Sequence, residues 1–175
     1  NPYGLNTDNI RPRLFGIDIY RIPSKSMQPL LLPGDYILVS NLAYKDALPK
    51  RKDIVVFYKP SADISKPKIP FIKRIIAIAG DTVQIKNGNL LVNNALIEEN
   101  YVSENNKKTL YSKEMKLVTI PHKHVFVLGD NRNKSNDSRK FGTVPMRDVV
   151  GEAGQIWFSQ GEDGVRWDRL GKLIR

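Results

Sequence analysis

The 175-residue chain carries 28 Lys and Arg against 18 Asp and Glu, a formal net charge of +10, with 41% hydrophobic residues, two His and no Cys. That length and composition suit one domain with a buried core and exclude wholesale disorder. The lack of Cys excludes a disulfide framework, a thiol nucleophile and thiolate metal sites, and no apolar run approaches the roughly 18 residues of a membrane span.

The excess of positive charge fits an anionic partner or a solvated surface biased towards lysine, and charge alone does not choose between them. The chain opens on Asn1 rather than Met. It therefore reads as a processed or excised piece, with any leader or anchor upstream.

In chain order, the first 20 residues contain Pro2, Gly4, Pro12 and Gly16 and read as an extended strap. Residues 26–32 form the one helix candidate, limited by Pro29 and Pro33. Short β-branched or apolar runs predict strands over 36–39, 53–58 and 72–79. Further strands are expected at 83–85, 90–92 and 95–97, linked by an Asn87-Gly88 hairpin turn and an Asn93-Asn94 turn. Later runs predict strands over 116–120, 124–128 and 149–159. Two polar stretches, 59–70 and 98–114, read as loops. The expectation is an all-β chain, a barrel- or sandwich-like core with a smaller inserted β subdomain. Residues 1–80 and 116–175 would form the core and 81–115 the insertion.

The candidates for chemistry emerge by exclusion. His122 and His124 would share one face of a strand, but no third ligand is evident, so they are expected to be surface histidines without a metal. Glycine-rich phosphate loops are absent. No aromatic ladder or recognition helix marks a nucleic-acid surface.

Three segments remain. Ser24 and Ser26 are framed by Pro23 and Pro29, which in isolation reads as a turn. Lys73 interrupts the apolar run 71–79, and strand alternation puts Lys73 and Arg74 on opposite faces. One of the two cations must therefore point inward or into a cleft, unless the lysine snorkels from an edge. A desolvated lysine matters because burial lowers its pKa from about 10.4 towards neutrality. A neutral amine beside a hydroxyl makes a serine–lysine dyad, which requires neither histidine nor carboxylate. The third segment, 129–139, alternates acids, arginines and serines, as expected of a loop that pairs its own charges.

Taken together, these segments resemble the type I (bacterial leader) signal peptidases. Residues 22–38 resemble the family's P-S-x-S-M-x-P-x-L…G-D…L-V block, 72–81 its K-R-x-x-x-x-x-G-D block, and 129–139 its G-D-N-R-x-x-S-x-D-S-R block. The resemblance runs from about residue 20 to 159. It implies Ser26 as nucleophile and Lys73 as general base, with the Ser26 N–H and the Ser24 hydroxyl as oxyanion hole. It further implies Ser135 as the residue orienting the Lys73 amine. Arg74, Asp130, Arg132, Asp137 and Arg139 would support the site structurally. Met27, Ile72 and Ile75 would line shallow pockets for small residues.

The implied substrate is the signal peptide of a secreted preprotein, cut after an Ala-x-Ala type sequence, with no cofactor and no metal. The implied location is the extracytoplasmic side of a bacterial inner membrane, where the +10 charge would meet an anionic lipid surface rather than nucleic acid. A membrane anchor is expected outside this chain. Lys25 departs from the usual Gly between the serines, Leu30 from Thr, and Ala77 and Ala79 from Gly and Pro. The alternatives are a same-dyad peptidase serving a conjugation or pilus protein, a self-cleaving repressor-like protein, and a non-catalytic basic β module.

Overall fold

The computed structural model describes residues 16–60, 68–108 and 114–175. The strap expected at the start thus lies outside the described residues over 1–15, as do 61–67 and 109–113 of the two expected loops. The first strands are β1 (Ile17–Arg21), β2 (Asp35–Ser40), β3 (Ile54–Tyr58) and β4 (Pro70–Ile78). They are followed by β5 (Thr82–Lys86), β6 (Asn89–Val92), β7 (Ala95–Leu96), helix α1 (Glu104–Lys108) and β8 (Met115–Thr119). The chain continues through β9 (His124–Leu128), helix α2 (Ser138–Phe141), β10 (Val144–Pro145), β11 (Val149–Gly161) and β12 (Gly164–Val165).

Among the described residues the strands form two antiparallel sheets. The larger runs β1-β2-β11-β3-β4-β9-β10, with β12 paired to β11, and the smaller runs β7-β6-β5-β8. The all-β expectation holds. β8 begins at Met115, the last residue of the expected insertion, and pairs with β5 as far as Thr119, so the smaller sheet also draws on residues 116–119.

The central strands show why the fold places a lysine where it does. β3 is buried along Ile54–Phe57 without alternation, as a strand covered on both faces must be. Ile54 and Val56 pack with Ile22, Met27, Ile37 and Ile72, while Val55 and Phe57 pack with Ile75, Val125 and Val127. β4 lies between β3 and β9, with Lys73 opposite Val55 and Arg74 opposite Ile54. Alternation sends the two cations to opposite faces, and both faces are covered. Lys73 is 3% exposed and Arg74 1%.

Two local expectations are corrected. Residues 17–20, read as strap, belong to β1, which pairs with β2 from Ile17↔Ser40 to Arg21↔Tyr36. Residues 26–32 form turns rather than a helix. An i+4 bond, Leu31 N–H to the Met27 carbonyl at 3.0 Å, is made there, but Pro29 has no N–H with which to continue a helical ladder. Among the described residues no helix is long and apolar enough to cross a membrane.

Candidate active site

The serine segment leaves β1 at Ile22, crosses the end of the large sheet in turns and returns at β2. Ile22, Met27 and Leu31 anchor it in the core, each at most 2% exposed. The anchoring leaves Ser24 and Lys25 exposed and lowers Ser26 against β4. Lys73 Nζ lies 2.8 Å from Ser26 Oγ and donates to the Ile72 carbonyl at 2.7 Å. Ser24 Oγ is 3.2 Å from Ser26 Oγ. The amine also stands 5.5 Å from the Phe71 ring centre.

Burial pushes the Lys73 pKa down to about 8, against the opposing pull of Asp137 and Asp130. The charged ammonium donates to Ser26 Oγ. Once neutral, it can accept the serine proton across the same contact.

The 129–139 loop folds upon itself beneath this pair. Arg74 Nε and Nη2 reach the two oxygens of Asp130 at 2.8 and 2.7 Å, and the guanidinium lies 4.1 Å from the Tyr101 ring centre. Arg132 donates to the Gly129 carbonyl and pairs with Glu99 of the inserted region. Asp137 accepts from Gly129 N–H and bidentately from Arg139, whose Nη2 also reaches the Arg132 carbonyl. Burial alone would raise the Asp137 carboxyl, but Arg139, Ser135 and the Gly129 N–H hold it below the ordinary range. Desolvation wins at Asp130, whose carboxyl is raised despite Arg74.

Ser135 is 5% exposed and sits against Gly129 and the Ser26 carbonyl. Its hydroxyl lies near the Asp137 carboxylate without a well-formed hydrogen bond, and among the described residues Lys73 Nζ bonds to Ser26 and Ile72. Met27 and Ile75 have no exposed surface and Ile72 is 8% exposed. A cleft of about 790 Å³ opens beside the serine segment, lined by Arg21, Lys25, Gln28, Tyr36, Glu162 and Arg166 among others. Among the described residues no cluster of His, Asp and Glu could hold a metal ion.

Gly129, in sequence only one residue of the loop motif, is where the loop meets Ser26. A Cβ there would run into Ser135 Oγ and stand 2.5 Å from the Ser26 carbonyl oxygen. Gly129→Ala is therefore expected to displace Ser26 relative to Lys73 and lower kcat/KM by about 10²-fold or more. Steady-state kinetics with a thermal unfolding curve on the same sample checks this. Unchanged kcat/KM would show that the approach is not tight.

Asn131 was also passed over. Its backbone N–H donates to the Ser26 carbonyl and its side-chain Nδ2 to the Lys25 carbonyl, both at 3.0 Å. Its place in the G-D-N-R motif was the available signal.

Comparison with known proteins shows the family to which the chain belongs. Residues 10–158 match the family described as signal peptidase, peptidase S26. The chain is 40% identical over 138 residues to thylakoidal processing peptidase 1, chloroplastic, of Arabidopsis thaliana, covering 75% of this chain and 39% of that one. It is 36% identical over 193 residues to signal peptidase I of Pseudomonas aeruginosa, covering 84% of this chain and 66% of that one. The crystal structure of a signal peptidase I from Enterococcus faecalis superposes with a TM-score of 0.48 at 31% identity, covering 61% of this chain and 97% of that one. The chain thus spans less than two thirds of the length of the first two relatives. The chain belongs to the signal peptidase family, peptidase S26.

Proposed function

We propose that this chain carries the catalytic site of a serine endopeptidase that removes N-terminal signal peptides from secreted preproteins. The observation that carries the reading is the 2.8 Å contact between Ser26 Oγ and a buried Lys73 amine whose pKa is pushed down to about 8. Neutral Lys73 takes the Ser26 proton as Oγ attacks the scissile carbonyl. The Ser26 N–H and the exposed Ser24 hydroxyl stabilise the oxyanion. Collapse expels the amine of the mature chain, which takes its proton from Lys73, and water then releases the acyl group by the same route. The Ile72 carbonyl keeps the amine in place, and Ser135, whose hydroxyl makes no well-formed hydrogen bond in this structure, would orient it during the reaction.

Small side chains ahead of the cut, of the Ala-x-Ala type, would lie against Ile72, with Met27 behind it, while Ile75 packs in the separate cluster of Val55 and Phe57 and could line a pocket only from there. The net charge of +10 favours an anionic membrane surface on the extracytoplasmic side, where preproteins emerge.

The test is incubation with a preprotein in detergent and mapping of the new N-terminus. A cut directly after Ala-x-Ala supports the reading, and a cut elsewhere contradicts it. Because the base must be neutral, kcat/KM should rise about tenfold per pH unit below about 8 and level off above it. A rate falling from pH 6 to 9 with the fold intact would exclude a neutral-lysine base.

A further inference from the structure

We propose that Asn131 is a positioning residue for acyl transfer, its side-chain amide fixing the peptide plane that presents the Ser26 N–H to the oxyanion. The proposal rests on the reading of Ser26 as nucleophile and adds a residue to it. The Lys25 carbonyl and the Ser26 N–H belong to one peptide group, which is planar and trans, so the two point to opposite edges of the same plate. Asn131 Nδ2 holds the carbonyl edge at 3.0 Å, and the Gln28 N–H supports it at 3.3 Å. The opposite edge, the Ser26 N–H, donates to no group among the described residues. A donor at the carbonyl also polarises the amide and strengthens its N–H.

Asn131 can act as a clamp because its surroundings do not move with the serine segment. It is 8% exposed, between Asp130, held bidentately by Arg74, and Arg132, held by the Gly129 carbonyl and Glu99. Its φ of −84° and ψ of 80° turn the chain, so that the backbone N–H and the side chain face the same segment. The N–H secures the Ser26 carbonyl at 3.0 Å, one peptide further on. That second bond survives any side-chain substitution, so a variant loses the clamp on Lys25 while keeping the loop attached. The same loop grips Arg74, the neighbour of Lys73, and so sets nucleophile and base in one frame without touching a reacting atom.

The test compares Asn131→Asp, which keeps the size but faces the carbonyl with an acceptor, and Asn131→Ala. For both, kcat is expected to fall about 10- to 100-fold with KM within about twofold, a fraction of what losing a whole oxyanion donor costs. In Asn131→Ala, which adds no charge, the pH midpoint of kcat/KM should stay near 8, because Lys73 keeps its partners. A signal-sequence peptide ending in alaninal, whose hemiacetal with Ser26 carries the same oxygen, should lose affinity by the factor lost in kcat. The matching peptide amide should bind as before.

Turnover within twofold of wild type in both variants, equal weakening of aldehyde and amide, or a shifted pH midpoint in Asn131→Ala would each overturn the proposal. Ser26→Ala is measured alongside. If it still cleaves, the reading of the nucleophile fails and this proposal with it. If it is inactive while the Asn131 variants are normal, only this proposal fails.

Discussion

Ser26→Ala and Lys73→Ala are each expected to lower turnover of an Ala-x-Ala preprotein by about 10⁴-fold or more, with the fold retained. On the proposed reading the two act as a unit, because among the described residues Lys73 is the basic group in hydrogen-bond contact with Ser26 Oγ, so the double variant should be little worse than either single one. Mapping products from equal amounts of folded variant checks this. Normal cleavage by either variant contradicts a dyad.

Lys73 also links the site to stability. Its pKa in the folded state, about 8, lies below the value of about 10.4 expected when unfolded. Between these values the unfolded chain binds more protons, so stability rises with pH there and is lost again as pH falls through about 8. Lys73→Met, which fills the same space without a charge to bury, should be inactive but more stable than wild type below pH 8.

The largest expected effect on stability is at Asp130. Asp130→Ala leaves the Arg74 guanidinium charged, 1% exposed and without its bidentate partner, which typically costs about 3–5 kcal/mol. The raised carboxyl of Asp130 shows that burial outweighs attraction within this pair. Asp130→Leu combined with Arg74→Met should accordingly recover most of the loss. Urea unfolding of the single and double variants checks both, and a loss below about 1 kcal/mol for Asp130→Ala would contradict this account. Asp130 also pulls the Lys73 pKa upward. Asp130→Asn, if folded, should move the activity midpoint to lower pH.

The strands were legible where hydropathy and burial coincide. The apolar runs of β3 and β4 and the Asn87-Gly88 turn between β5 and β6 could be read directly. β1 could not, because its burial runs against hydropathy: Asp18 and Tyr20 face inward while Ile17 is 41% exposed. The short helices escaped because four or five residues carry no periodicity, although Asp137 ahead of Ser138 was a capping signal for α2.

Alternation required one cation of Lys73-Arg74 to turn inward. Both do, since β4 is central and a sequence does not say which strands are. For Asn131 the G-D-N-R motif marks the position but not its contact: the side-chain donor meets a backbone carbonyl, and such pairings depend on loop conformation rather than on residue pattern.

The central claim is that Lys73 is a neutral base poised on Ser26. Its most direct test is an NMR titration of the protein carrying labelled lysine, with the Lys73 signal assigned by its loss in Lys73→Met. A midpoint near 8 is predicted. A lysine titrating near its ordinary value of about 10.4 would contradict the account.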